Sequence, residues 1–215
     1  VKYEKTKDVL KMISRKKRRE KRKNMSYYNA NATKFLEDTL SADMTALHEV
    51  FLERLPQTAV ILDAGCGSGR DSLYFKSIGH FIVAMDASQE MCQFAGEYIG
   101  ESVLLCRFQD MHFKVLFDGV WACASLIHVP SNEMVNVLQR FNWYLKDNGI
   151  MYASFKYGDF EGEREGRYYL DLTEETAMKF FTEAGFNIEK MWITDDVREN
   201  HVDEKWLNVL ASRKN

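Results

Sequence analysis

Residues 63–69 are the part of this 215-residue sequence whose composition best suits ligand binding. They read Asp-Ala-Gly-Cys-Gly-Ser-Gly and follow the apolar run 59–62. Glycines at alternate positions let the backbone turn sharply and let a ligand approach where a Cβ atom would collide. A helix that starts after the turn would direct free N–H groups and its positive dipole end at an anionic group. The run therefore predicts a ligand-binding turn between a strand and a helix.

The spacing of the glycines separates this turn from two other nucleotide-binding motifs. The dinucleotide motif Gly-x-Gly-x-x-Gly, counted from Gly65 and Gly67, requires a glycine at the position of Arg70. No Gly-x-x-x-x-Gly-Lys-Ser/Thr occurs, so a P-loop is excluded. A second acid, Asp86, ends the next apolar run and is placed to accept hydrogen bonds from two ribose hydroxyls.

The elements that must position these residues follow an α/β pattern. Apolar runs alternate with amphipathic segments, and the last two runs are joined without a helix between them. We expect a mostly parallel sheet with an antiparallel last strand, and ligands of such sheets bind outside the carboxyl ends of the strands. The seven expected strands are 59–62, 81–85, 103–107, 116–122, 150–155, 186–193 and 205–212.

Helical spacing of apolar residues predicts the remaining elements. Residues 33–55 should form a helix that covers the front of the domain, either as one long helix or with a break near Ser41. The polar stretch 156–167 contains three glycines and is expected to be a mobile loop. Further helices are expected over 70–78, 88–99, 131–145 and 173–184.

Residues 60–70 resemble the first motif of the class I S-adenosylmethionine-dependent methyltransferases. The resemblance is nearest to small bacterial enzymes of the tellurite-resistance type and extends over residues 27–212. It implies a Rossmann-like α/β fold, with helices on both faces of the seven-stranded sheet and an N-terminal helical cover. It also implies S-adenosylmethionine as the cofactor and S-adenosylhomocysteine as the product.

The resemblance also assigns the cofactor-binding residues. The glycine turn would line the methionine moiety, Asp86 the ribose, and residues 109–111 the adenine. Arg70 could reach the carboxylate of the donor, but it could equally pair with Asp71 or Glu90. The full expected set is Asp63, Ala64, Gly65, Cys66, Gly67, Gly69, Arg70, Asp86, Ala87, Ser88, Gln109, Asp110, Met111, Ala124, Ser125 and Tyr28, the last folding over the donor.

Three further residues are candidates for work on the methyl acceptor. His128 follows the fourth expected strand and is either a general base or a loop histidine bonded to backbone. Arg167 and Tyr168 stand at the loop after the fifth strand, where they would contact the substrate or belong to a solvated loop. Trp206 is expected to pack the final hairpin. No Cys/His cluster suits a metal, so none is expected.

Charge is distributed unevenly along the chain. Residues 1–24 hold twelve of the 29 Lys and Arg and three acids, whereas residues 25–215 carry 17 bases and 29 acids. We expect a flexible basic extension over 1–24 and a cytoplasmic methyltransferase domain over 25–215. The acidic domain favours a small-molecule acceptor, because a phosphate backbone is bound through cations. The run 15–23 leaves an RNA methyltransferase open, and a non-catalytic cofactor-binding module is the third alternative.

Overall fold

The apolar runs of the sequence form a seven-stranded sheet in the computed structural model, which describes residues 39–164, 166–197 and 204–214. Two further strands, β6 and β7, form a separate ribbon. The sheet order is β3-β2-β1-β4-β5-β9-β8. The strands are β1 (Val60–Ala64), β2 (Phe81–Asp86), β3 (Leu104–Leu105), β4 (Phe117–Ala122), β5 (Leu145–Lys156), β6 (Glu161–Arg164), β7 (Arg167–Leu170), β8 (Phe186–Asp195) and β9 (Lys205–Arg213).

The pairing confirms the expected mixed sheet. Strand β1 lies between β2 and β4 and is parallel to both, and β4 is also parallel to β5. Strand β9 is antiparallel to β5 and to β8. The chain order reverses at β1 and β4, so their carboxyl ends form the crevice in which open α/β sheets bind ligands.

Helices cover both faces of the sheet, as expected. They are α1 (Thr45–Leu52), α2 (Arg70–Ser77), α3 (Gln89–Ile99), α4 (Ser131–Tyr144) and α5 (Glu174–Glu183). Successive residues of a strand point to opposite faces. Ile61 accordingly packs with α1 and α2, whereas Leu62 packs in the cluster that includes α4 and α5. None of the helices in the described part of the chain is long and apolar enough to span a membrane.

The break near Ser41 that the sequence left open is present, and one strand differs from its expected length. The N-terminal helix is interrupted over residues 41–44, and α1 begins at Thr45, whose N–H donates to Asp43 Oδ1 over 2.9 Å. The third strand is shortened to Leu104–Leu105 at the sheet edge. The edge position of this strand is not encoded in the apolar pattern.

The stretch 156–167, expected to be a mobile loop, is also a correction. It contributes most of an antiparallel ribbon in which Glu161 pairs with Leu170 and Arg164 with Arg167. The ribbon is attached to the chain after β4, because the Ser131 N–H donates to Glu161 Oε1 over 3.0 Å. Its first strand was missed because it is charged and therefore lacks the apolar alternation of a core strand.

Phe51 tests how α1 is attached to the sheet. Its ring is fully buried against Phe75 and Trp121, with centroid distances of 5.8 and 5.2 Å. We expect Phe51→Ala to reduce the free energy of unfolding by about 3–5 kcal/mol in urea titrations, because it leaves a cavity. The control is Phe81→Ala, since Phe81 is 67% exposed and its loss should change stability little. Equal effects of the two substitutions would contradict this packing.

Candidate active site

A cavity of about 800 Å³ opens at the carboxyl ends of β1, β2, β4 and β5. Its inner part is lined by the turn after β1 and the residues that follow β2 and β4. Its outer part is lined by the ribbon and by the facing ends of β8 and β9. The expected cofactor-binding residues that line it are Asp63, Gly65, Cys66, Gly67, Arg70, Asp86, Ala87, Ser88, Ala124 and Ser125.

The glycine turn is shaped by its close approach to β2 and β4. The N–H groups of Gly65 and Cys66 both donate to the Met85 carbonyl, over 2.8 and 2.9 Å. Gly65 has a φ of +80°, and a Cβ atom there would lie 2.5 Å from Ser125 Cβ. A side chain would therefore be strained and would also collide, so the turn requires glycine at this position.

Asp86 is joined to the same turn across the carboxyl ends of the strands. Its carboxylate accepts the Gly67 N–H over 3.0 Å and the Ser88 N–H over 2.8 Å. Burial raises the pKa of Asp86, although these backbone donors oppose the shift. The acid that was expected to bind a ribose thus lies in the cavity wall with its position fixed by two backbone groups.

Asp63 is buried immediately before the glycines. The Ser72 hydroxyl donates to Asp63 Oδ2 over 2.6 Å. Burial, and then the charge of nearby Asp71, raise the pKa of Asp63 to about 7. The carboxyl is therefore close to its titration point at neutral pH, and a cationic ligand beside it would favour the ionised form.

Arg70 takes the pairing alternative that the sequence left open. Its Nε and Nη2 donate to the two oxygens of Asp71 over 2.8 and 2.9 Å, and Nη1 donates to the Thr39 carbonyl over 3.0 Å. His48 Nε2 and Trp121 Nε1 also donate to Asp71, over 3.0 and 2.8 Å. Burial opposes ionisation of Asp71, but the hydrogen bond from His48 and the Arg70 guanidinium hold its pKa well below the usual range.

The chain after β4 is held in an uncommon conformation. Ala124 has a φ of +51°, and its N–H donates to Ser154 Oγ over 2.8 Å. The Ser125 hydroxyl donates to the Ala64 carbonyl over 2.6 Å. Positive φ is costly for a residue with a side chain. The hydrogen bonds from β1 and β5 stabilise this turn where it borders the cavity.

His128 also lines the cavity and is bonded to backbone. Its Nδ1 lies 2.6 Å from the Tyr168 carbonyl oxygen. A carbonyl can only accept, so Nδ1 carries the proton and Nε2 is the unprotonated nitrogen of the neutral ring. Burial lowers the pKa of His128 to about 4. The imidazole is therefore neutral at physiological pH.

The outer wall contains paired charges and aromatic rings. Lys156 pairs with Glu204, Arg164 with Asp171, and Lys205 with Asp195 over 2.6 Å. Lys156 Nζ lies 5.7 and 5.9 Å from the ring centroids of Tyr169 and Trp206. Of the candidate acceptor residues, His128 and Arg167 line the cavity, whereas Tyr168 is buried with its hydroxyl on Glu161.

Long-range pairing places two aromatic residues on this wall. Tyr169 rather than Tyr168 faces the cavity, because only the ribbon pairing determines which of two adjacent tyrosines points inward. Trp206 lies in the final hairpin as expected, where its Nε1 donates to Asp196 over 2.9 Å, and it also lines the cavity because it pairs with Lys156 across β5 and β9. No local sequence signal encodes that long-range register.

The residues expected at the adenine lie outside the cavity lining. Gln109 donates to Glu133 over 2.9 Å, Asp110 pairs with Arg107, and Met111 is fully buried. The 3₁₀ turn Phe108–Asp110 instead directs Phe108 into the cavity. Ala64 and Gly69 are not among the lining residues, and Tyr28 lies outside the described residues. Within 39–164, 166–197 and 204–214, no group of three His, Cys, Asp or Glu is placed to hold a metal.

Comparison with known proteins gives matches to methyltransferases. Residues 61–149 match the family described as "Methyltransferase domain". The chain is 32% identical over 113 residues to the putative methyltransferase YqeM of Bacillus subtilis, covering 47% of this chain and 46% of that protein. It is 30% identical over 174 residues to the 18S rRNA (guanine-N(7))-methyltransferase bud23 of Schizosaccharomyces pombe, covering 74% and 62%. The chain thus spans less than two thirds of either relative.

A solved structure shares the fold over most of its length. The crystal structure of 1,6-didemethyltoxoflavin-N1-methyltransferase from Burkholderia thailandensis, with 1,6-didemethyltoxoflavin and S-adenosylhomocysteine bound, superposes with a TM-score of 0.74 at 21% identity. The alignment covers 90% of this chain and 88% of that chain. Residues 61–149 thus match a methyltransferase domain, and the chain shares the fold of an enzyme whose structure contains S-adenosylhomocysteine. The finer likeness to tellurite-resistance enzymes stays a prediction.

The raised pKa of Asp63 gives a testable pH dependence. The unfolded carboxyl ionises near the ordinary value of 3.8, whereas the folded one keeps its proton to about pH 7. Its contribution to stability is therefore complete below the lower value and is lost as the pH rises through the upper one. We expect Asp63→Asn, which keeps an oxygen for Ser72, to raise Tm relative to the wild type more at pH 8 than at pH 5.

The control for this titration is Asp147→Asn, because the Asp147 side chain is 85% exposed. Differential scanning fluorimetry of the ligand-free protein should show the same pH trend for this variant as for the wild type. A Tm difference between Asp63→Asn and wild type that stays constant from pH 5 to pH 8 would contradict the assignment.

Proposed function

We propose that the cavity binds S-adenosylmethionine through the glycine turn and Asp86, and that its methyl group is transferred to a small molecule in the outer part of the cavity. The observation that carries this proposal is the union of the two parts in a single cavity of about 800 Å³. That volume lies within the usual range for small-molecule sites, roughly 300–1,000 Å³.

The residues of the inner part fit the cofactor. The glycine turn borders the cavity and leads into the N-terminus of α2. Asp86 supplies carboxylate oxygens for ribose hydroxyls, and Asp63 supplies a carboxyl that a cationic amino group would ionise. When bound, S-adenosylmethionine supplies an activated sulfonium methyl group for in-line displacement. Alignment of the acceptor with that group can lower the activation free energy by about 7–11 kcal/mol.

The charges of the outer wall support a small acceptor. Among the residues that the structure describes, four cations and four acids line it: Lys156, Arg164, Arg167 and Lys205 with Asp171, Asp195, Asp196 and Glu204. Binding of a phosphate backbone depends on an excess of cations that release counterions. A balanced wall with aromatic rings instead suits a polar or heteroaromatic molecule. The Burkholderia enzyme, which has a heterocycle bound beside S-adenosylhomocysteine, provides a precedent in the same fold.

His128 is the residue proposed to act on the acceptor. Because its Nδ1 donates to the Tyr168 carbonyl, its Nε2 can accept a proton from an N–H or O–H nucleophile. The low pKa of the ring keeps it in the neutral form across the physiological range. Arg167 is proposed to contact the acceptor from the ribbon.

Cofactor binding is tested by Asp86→Ala. The substitution removes both oxygens offered to the ribose, so we expect the Kd for S-adenosylhomocysteine to rise at least about tenfold in isothermal titration. Asp147→Ala, at an exposed carboxylate, is the matched control and should bind as the wild type does. Retention of wild-type affinity by a folded Asp86→Ala variant would sink the proposal for this residue.

The acceptor class is tested with isotopically labelled methyl donor. The full chain is incubated with a metabolite extract and, separately, with total RNA, and the labelled product is identified by mass spectrometry. We expect label in a small molecule. In the same assay His128→Gln should lower the initial rate by about 10²-fold or more without changing the affinity for S-adenosylhomocysteine.

An RNA acceptor is the second candidate, favoured by the fission yeast 18S rRNA relative and by the basic run 15–23. Deletion of residues 1–24 separates the two. Label in RNA that disappears on deletion would support the RNA acceptor and contradict the small-molecule proposal. Binding of S-adenosylhomocysteine without product from any acceptor would favour a non-catalytic module.

A further inference from the structure

The carboxylate of Asp71, near the start of α2, accepts four side-chain hydrogen bonds. Its Oδ1 accepts from Arg70 Nε over 2.8 Å and from His48 Nε2 over 3.0 Å. Its Oδ2 accepts from Arg70 Nη2 over 2.9 Å and from Trp121 Nε1 over 2.8 Å. The residue is 7% exposed, so the carboxylate is removed from water and fully surrounded by donors.

The three donor residues belong to three different elements. His48 lies on α1, Arg70 begins α2 directly after the glycine turn, and Trp121 lies on β4. The His48 ring is packed among aromatic rings, stacked on Tyr74 at 4.3 Å and tilted against Trp121 at 5.1 Å. Asp71 is thus the point at which the segment over the cavity, the turn and the sheet are joined.

The contact with Asp71 also fixes where the rest of the Arg70 guanidinium points. With Nε and Nη2 held by Asp71, Nη1 donates to the Thr39 carbonyl over 3.0 Å. Thr39 belongs to the cover segment, which we define as residues 39–52 and which ends with α1. Thr39, Arg70 and Asp71 all line the cavity.

A stabilising role alone does not account for this arrangement. A buried ion pair is often no more stable than well-packed apolar residues of the same volume, because desolvation offsets the attraction. The geometry points to Asp71 as a positioning residue: it holds Arg70 so that the cover segment and the cofactor side of the cavity are coupled. This inference rests on the proposed cofactor site. Because coupling is reciprocal, an ordered cover segment that raises the affinity for the cofactor by some factor implies that the bound cofactor favours the ordered cover segment by the same factor.

The test combines isothermal titration of S-adenosylhomocysteine with hydrogen exchange of residues 39–52, measured with and without that ligand. The ligand should slow exchange in the cover segment of the wild type. Arg70→Met keeps the apolar stem but loses every hydrogen bond of the guanidinium. We expect it to raise the Kd about tenfold and to abolish the ligand-dependent protection.

Two further variants weaken the hydrogen bonding of Asp71 to different extents. Asp71→Asn keeps the shape and removes the charge, and it should weaken affinity and ligand-dependent protection together. Trp121→Phe removes one of the four hydrogen bonds while keeping an aromatic ring, so it should give an intermediate effect. This variant provides the test if Asp71→Asn fails to fold. Lys76→Met is the matched control on α2, because Lys76 bonds to Ile99 and Glu101 away from the cavity. It should match the wild type in both measurements.

The outcomes separate this inference from the proposed function. If the wild type does not bind S-adenosylhomocysteine, the proposed cofactor site fails and the coupling fails with it. If the wild type binds, but Arg70→Met and Trp121→Phe keep wild-type affinity and full ligand-dependent protection, the coupling alone is overturned. A loss of thermal stability in these variants without a change in ligand-dependent protection would likewise show a purely structural role and overturn it.

Discussion

The close approach of two loops at the centre of the sheet constrains the rest of the site. The turn after β1 passes so near the chain after β4 that a Cβ atom on Gly65 would meet Ser125 Cβ at 2.5 Å. The Ser125 hydroxyl closes the same gap by donating to the Ala64 carbonyl. Because β1 and β4 are adjacent and parallel, both loops leave the sheet at the same edge. A glycine turn and a short hydroxyl side chain are the combination that lets both loops border one cavity.

The inner part of the site was predicted from sequence because its signals are local. The apolar run before Asp63, the alternating glycines and the acid that ends β2 are each contained within a few residues, and all of them lie where the sheet places its crevice. Parallel buried strands read as continuous apolar runs, so their positions could also be predicted from short windows. Backbone geometry and local residue type then determine most of the turn.

The outer part could not be predicted in the same way because its contacts are long-range. Lys156 and Trp206 are neighbours only because β9 inserts beside β5 in antiparallel register. The choice between Tyr168 and Tyr169 depends on the ribbon, whose first strand is charged and so gives no apolar signal. Asp71 shows the same limit: its partners His48 and Trp121 are 23 and 50 residues away in sequence. Spacing identifies residues that share an element, whereas the register between distant elements decides which of them meet.

The inner and outer parts of the cavity carry different distributions of charge. The end of β1, the start of α2 and the end of β2 bring three acids, Asp63, Asp71 and Asp86, and one cation, Arg70. The β5, β8 and β9 ends and the ribbon bring cations and acids that pair with one another, as Lys205 does with Asp195. An excess of acids suits a ligand with cationic centres and disfavours a polyanion at the same place. If the acceptor were part of an RNA, its phosphates would have to be held by cations beyond this cavity, and only the acceptor base would enter. In the proposed function, the cavity would therefore admit the acceptor group itself, whereas contacts outside the cavity would decide whether a larger molecule can carry that group.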